Sequence, residues 1–194
     1  MARSLFSRLA ARARALPLRA VAAVAIASAA ASTVPPAACA TDNREYEIKA
    51  GFLFNFVKFV EWPGEAFAAG DSTIVVGVLG NDPFGDAINA LEGKTASGRR
   101  IAVRRYTKPE EASSAHVLFI SDSETKALPA IFKTLASGNA LTVGDSDGFT
   151  EAGGVIRFYQ KKNKMRVEIN TAAAERAALK ISSKLLNIAD IAGT

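Results

Sequence analysis

Read as apolar and polar positions, the chain opens on an apolar stretch, Ala20 to Ser32, about a dozen residues long. That is shorter than the roughly 20 residues needed to cross a bilayer. From Glu45 to Trp62 the apolar positions recur at helical spacing, with Phe52, Phe56, Phe59 and Val60 on one face and Leu53 and Val57 beside them. Pro63-Gly64 supplies the stop signal. Phe54 falls outside the stripe, so this helix is either buried on several sides or shared with a partner. Ser72 to Gly80 is a continuous β-branched run ending in glycine, which predicts a central strand covered on both faces. Asn81-Asp82-Pro83 predicts a turn before a short helix through Ile88, Leu91 and Glu92, with the next strand at Ile101 to Tyr106. The unit repeats: a strand at His116 to Ser121, a helix from about Ser123 to Leu135, and a strand at Ala140 to Gly144. Two such βαβ units predict a mostly parallel sheet.

The ending breaks this rhythm. Gly153 to Tyr159 and Met165 to Asn170 flank the polar turn Lys161 to Lys164, which predicts a β-hairpin. Thr171 reads as the cap of a last helix that takes in Ala174, Leu179, Ile181, Leu185, Leu186 and Ile188. The predicted fold is an α/β three-layer sandwich whose mostly parallel sheet ends in an antiparallel C-terminal hairpin at the edge. Arg99, Arg100, Arg104 and Arg105 flank a strand placed near the other edge, where positive charge blocks unwanted pairing.

Charge changes how the N-terminus is read. Residues 1–19 hold Arg3, Arg8, Arg12, Arg14 and Arg19 and no acidic residue. A basic start, a short apolar run, the break at Pro35-Pro36 and the small residues Ala38-Cys39-Ala40 together form a secretory signal peptide over 1–40, cleaved after Ala40. A cut after Ala31 is the alternative. No arginine pair is present in the leader, which points to the general secretory route and the periplasm. The net charge of +5 comes from 24 basic and 19 acidic residues, and all the acidic ones follow Ala40. Removing the five leader arginines leaves 24 − 5 = 19 basic against 19 acidic groups. A balanced domain lacks the basic footprint that nucleic-acid binding requires.

Cys39 is the only cysteine, so a chain cleaved after Ala40 has no internal disulfide. Lipidation of Cys39 is the competing reading, but Pro36-Ala37-Ala38 lacks the large aliphatic residue usual three places before a lipidated cysteine. The remaining 194 − 40 = 154 residues, 41–194, suit one domain.

At Ala50-Gly-Phe-Leu-Phe-Asn-Phe-Val-Lys-Phe-Val-Glu-Trp-Pro63 the sequence resembles the opening helix of the YfiR-like periplasmic family. Further matching segments follow in order: Gly77 to Gly85, His116 to Ser121, Leu141 to Asp145, and Val167 to Asn170 leading to Leu179 to Leu186. The resemblance implies a periplasmic repressor that binds the periplasmic domain of a membrane diguanylate cyclase, or a related sensor, and lowers cyclic di-GMP and biofilm formation. The family pattern carries a cysteine just before the His-Val-Leu-Phe-Ile segment. Ala115 stands there in this chain, so redox control by an internal disulfide is not carried over.

The residue inventory agrees with binding rather than catalysis. One histidine and no cysteine in 41–194 leave few nucleophile and base pairs, and no nucleophile elbow, phosphate loop or metal-ligand spacing is present. No catalytic residue, metal ligand or cofactor is assigned. His116, at the start of an apolar strand, reads as a structural hydrogen-bonding group. The carboxylates Asp82, Asp86, Asp122, Asp145 and Asp147 follow strands, where α/β folds bind ligands and where turns and caps also use such residues. The alternative function is therefore a small-molecule-binding accessory of a receptor or sensor kinase, and a homodimer is a further expected partner arrangement. Candidate partner or ligand contacts are Phe54, Asn55, Lys58, Trp62, Asn170, Ser183 and Lys184, with Ser182 beside them. Capping, backward hydrogen bonding and solvation are the structural roles that compete with contact at these positions.

Overall fold

The computed structural model describes residues 38–67 and 73–193, with side chains from residue 44 onward. Of the leader read over residues 1–40, residues 1–37 lie outside the described residues, and Ala38 to Ala40 begin the first helix. That helix, α1 (Ala38–Phe59), is followed by the short strand β1 (Val60–Glu61) and a 3-10 turn at Gly64–Ala66. Next come β2 (Thr73–Leu79), α2 (Asp86–Asn89), β3 (Thr95–Ala96), β4 (Arg99–Tyr106), β5 (Val117–Ile120), α3 (Leu128–Leu135) and β6 (Leu141–Gly144). The hairpin β7 (Ile156–Lys161) and β8 (Lys164–Ile169) leads to α4 (Thr171–Arg176), β9 (Lys180–Ile181), α5 (Ser183–Leu186) and β10 (Asp190–Ile191).

The main sheet has eight strands in the order β10-β8-β7-β6-β5-β2-β4-β3. Strands β4, β2, β5, β6 and β7 run parallel, and β8 returns antiparallel to β7. As its continuous apolar run predicts, β2 lies inside the sheet, between β4 and β5. Its side chains alternate: Ile74, Val76 and Val78 face the core beneath α1, and Leu79 faces the core beneath α3. Strand β5 does the same with Val117 and Phe119 against Leu118 and Ile120. This is the expected sandwich of helices on both faces of the sheet, with two-residue β10 added outside the hairpin.

Several boundaries differ from the sequence expectation. Helix α1 ends at Phe59 rather than Trp62, because Val60 and Glu61 pair antiparallel with Ile181 and Lys180. The helix expected from Ser123 starts as a 3-10 segment at Asp122–Ala127 and becomes α-helical at Leu128, with Pro129 in the first turn where its missing N–H costs nothing. The last helix is not continuous. It breaks at Ala178, whose φ of 55° is left-handed, and resumes only at Ser183. Asn170, not Thr171, is the residue that caps α4.

Phe149 fixes the join between β6 and β7. Its fully buried ring lies between Gly144 and Gly154, and a Cβ on either glycine would run into it. Strand β7 pairs with β6 only at Val143–Ile156 and Gly144–Arg157, so most of the hairpin projects beyond the end of β6.

Candidate functional site

The parallel strands end along one edge of the sheet, and the loops that follow β2, β5 and β6 gather there. The chain leaves β2 toward β4 and leaves β5 toward β6, so the loops diverge between β2 and β5, where open sheets form ligand crevices. Here that point is closed. The Asn81 N–H donates to Ser123 Oγ at 3.1 Å, and Gly80, at φ 88°, leaves room for the Ser123 hydroxyl that any Cβ would meet at 2.5 Å. The carboxylates nearby are taken up within the chain: Asp82 accepts from the Phe84 N–H at 2.7 Å and from Arg105 Nε at 2.7 Å, and Asp122 accepts from the Thr125 hydroxyl at 2.9 Å.

The open cleft lies one strand further along, beside β6, with a volume of about 360 Å³. Its walls are α1 (Glu45, Tyr46, Lys49), the loop after β6 (Asp145, Ser146, Asp147) and the hairpin (Phe158, Tyr159, Gln160, Met165). Lys49 is only 2 % exposed. Its ammonium pairs with Asp145 Oδ2 at 2.5 Å and Glu45 Oε1 at 2.7 Å and lies 4.1 Å from the centre of the Tyr46 ring. The Tyr46 hydroxyl donates to the same Asp145 Oδ2 at 2.9 Å. A buried cation demands such partners, because an unpaired one costs several kcal/mol. Asp145 Oδ1, in contrast, is buried without a hydrogen-bond partner. Asp147, at the rim, is held by Arg157 at 3.1 Å. The cleft is thus polar on the α1 and β6 sides and framed by the rings of Tyr46, Phe158 and Tyr159, with the Lys49–Asp145 pair buried in its wall. Among the described residues no group of three or more His, Cys, Asp or Glu side chains could hold a metal ion.

The sequence-derived candidates lie elsewhere and do not converge on this cleft. Phe54 is half-buried on α1 with the Lys58 ammonium 4.2 Å and the Lys94 ammonium 5.5 Å from its ring centre. Asn55 and Lys58 are exposed on the same helix. Trp62 donates its indole N–H to the His116 carbonyl at 3.2 Å. Ser183 and Lys184 are exposed at the start of α5, and Ser182 Oγ accepts from the Lys184 N–H at 3.3 Å as a cap. The Ser182 N–H donates to the Phe59 carbonyl at 2.8 Å, so the end of α1 and the start of α5 are neighbours. Asn170 is committed to the fold: Oδ1 accepts from the Ala173 N–H at 2.9 Å and Nδ2 donates to the Thr150 carbonyl at 2.9 Å.

Residues 45, 46 and 49 carried the one signal that sequence reasoning passed over. Lys49 stands at helical spacing from Phe52 and Phe56, a charge inside an apolar stripe, four residues after a glutamate.

His116 is a structural group. Its Nδ1 accepts from the Val75 N–H at 3.1 Å, so the neutral ring carries its proton on Nε2, which donates to the Ala66 carbonyl at 3.1 Å. The imidazole stacks on Phe67 at 4.6 Å, and Arg99 covers the other side of that phenyl ring at 3.5 Å.

Two solved structures are similar to this chain at low identity. The crystal structure of a conserved domain protein from Vibrio cholerae O1 biovar El Tor str. N16961 superposes with a TM-score of 0.51 at 12 % identity, covering 75 % of this chain and 59 % of that one. The ABC domain in complex with L-Trp from Streptococcus pneumonia reaches a TM-score of 0.44 at 10 % identity, covering 61 % of this chain and 54 % of that one. The chain thus spans under two thirds of the length of either, and the first likeness speaks to the fold alone. No curated protein matches the chain. The family model described as YfiR/HmsC-like matches residues 46–190, from Tyr46 at the cleft to Asp190 in the last strand, and the chain belongs to that family.

Proposed function

We propose that this protein is an exported, non-catalytic regulator that binds the periplasmic sensor domain of a membrane diguanylate cyclase and holds it inactive. The observation that carries this reading is the family match over residues 46–190. The Lys49 ammonium, buried and paired with Asp145 and Glu45, is committed to the fold, which agrees with regulation by binding. A repressor need only prefer one conformation of its partner, and about 1.4 kcal/mol of preference shifts a two-state ratio tenfold.

Deleting the gene is expected to raise cyclic di-GMP and biofilm mass, with reversal by protein supplied to the periplasm. Unchanged cyclic di-GMP in the deletion strain, with the cyclases expressed, rejects the reading. Phe54 is the first contact to test, since it is the half-buried aromatic of α1 flanked by two lysines. A Phe54→Ala variant that keeps its circular dichroism and loses repression places α1 in the interface; one that unfolds returns Phe54 to the core.

The cleft favours a second reading, a small-molecule-binding accessory of a receptor or sensor kinase. Its volume of about 360 Å³ and its lining by Tyr46, Ser146, Asp147, Tyr159 and Gln160 suit a compact polar ligand. Thermal-shift screening against amines and amino acids tests it, because a ligand of the native state raises the melting temperature.

A further inference from the structure

The hairpin that forms one wall of the cleft carries an unusual load at its tip. Lys161, Lys162, Lys164 and Arg166 are all exposed, and with Asp190 they line a recess of about 240 Å³. Asp190 is the one carboxylate there, accepting from the Tyr159 hydroxyl and standing 4.0 Å from Lys161 Nζ. Because Phe158 stacks on Phe56 of α1, the alternating positions Lys161, Lys164 and Arg166 lie on the hairpin face turned away from that helix. Residues 41–194 together carry no net charge, so four cations in one projecting turn are a segregation of charge.

Two features of this tip work against the stability of the isolated fold. Lys161 and Lys164 are direct cross-strand partners, and like charges in that position repel. Lys162 occupies the first position of the two-residue turn at φ 52°, a left-handed conformation that asparagine, aspartate or glycine adopts more readily. Asn163, at φ 59°, suits the second position. Packing explains neither lysine. An external anion explains both, since it relieves the repulsion and uses the charge the turn presents.

We propose that the β7–β8 tip docks on anionic phospholipid headgroups, with Lys161, Lys162, Lys164 and Arg166 holding the headgroup phosphate. A lipid surface is favoured over an acidic protein surface by the chemistry of the tip. Protein interfaces concentrate aromatic and arginine side chains and deplete lysine, whereas this tip is three parts lysine and its one nearby apolar side chain, Met165, turns to the cleft. The tip runs past the end of β6, so its four cations are not covered by that strand. The proposal rests on the export half of the proposed function and not on repression, and the two are measured separately.

The test uses protein purified from the periplasm, so that leader arginines do not contribute, and sedimentation with vesicles of phosphatidylcholine alone or with phosphatidylglycerol. Native protein is expected to sediment only with the phosphatidylglycerol vesicles and to be released as salt is raised. Each lysine near such a surface is worth about fivefold in affinity, so Lys161→Gln/Lys162→Gln/Lys164→Gln is expected to lose on the order of a hundredfold. Lys162→Asn suits the turn, keeps the fold, and is expected to lose about fivefold on its own. Equal sedimentation with both vesicle types, displacement by millimolar inorganic phosphate, or unchanged binding by both variants overturns the proposal. So does native protein that ignores phosphatidylglycerol while the triple variant fails to repress the cyclase in cells, which assigns the tip to an acidic protein surface.

Discussion

The two edges of the parallel sheet each hold a buried polar side chain, and they hold it differently. Where the strands begin, His116 has a partner for both ring nitrogens, a phenyl ring stacked on its face and Trp62 bonded to its carbonyl. Where they end, Lys49 and Asp145 pair at 2.5 Å, but Asp145 keeps one buried oxygen unpartnered beside an open cleft. A polar group whose every valence is used by the chain is a fastener. A polar group left with an unused valence is held less completely, and buried capacity of that kind costs about 1–3 kcal/mol to maintain.

Removing the cation at the far edge is expected to have the largest effect. Lys49→Ala strands Asp145 in the interior and should lower stability by about 4 kcal/mol in urea denaturation, at the middle of the range for a broken buried pair. Lys49→Met/Asp145→Leu should recover most of that loss, since replacing both partners removes the stranded charge. A loss under about 1 kcal/mol in the single variant would mean that water entering the cleft screens the pair, and the contrast between the edges would fail. His116→Ala should cost about 3 kcal/mol, from an orphaned Val75 N–H, a lost donor to Ala66 and a cavity beside Phe67. Trp62→Phe keeps the aromatic packing and deletes one donor at 3.2 Å, so about 1 kcal/mol is expected in the same denaturation series. If Trp62→Phe were as damaging as His116→Ala, the indole rather than the imidazole would be the fastener of that edge.

Much of this architecture is legible along the chain where the signal is local. The β-branched run at residues 73–79 and the alternation on either side of the 162–163 turn each determine their own element, and those elements are present. The break in the last helix was not legible, because nothing in the composition of Ala177-Ala178-Leu179 announces a left-handed backbone at an alanine. It is imposed by a distant partner: Lys180 and Ile181 leave the helix to pair with Glu61 and Val60. The same pairing shortens α1 at its other end. The cleft was half legible. Asp82, Asp122 and Asp145 follow strands as the sequence predicts, and their loops gather along one edge, with Asn81 bonded to Ser123 and Thr125 to Ser146. That Lys49 would meet Asp145, 96 positions away, is a fact of tertiary packing that spacing along a helix does not carry. Phe54, Asn55 and Lys58 share one helix as expected, and the join of Phe59 to Ser182 brings Ser183 and Lys184 near its end.

Phe149, with Gly144 on one side and Gly154 on the other, bears on the geometry of the cleft. Gly144 immediately precedes Asp145, so whatever thickness occupies the gap also sets where that carboxylate stands relative to Lys49. A methyl group on either glycine displaces the ring, and a smaller ring leaves the glycines facing a void. The three positions therefore cannot be changed one at a time. They act as a single spacer, and exchanging the phenyl ring for a smaller side chain would also move the place where Asp145 meets Lys49.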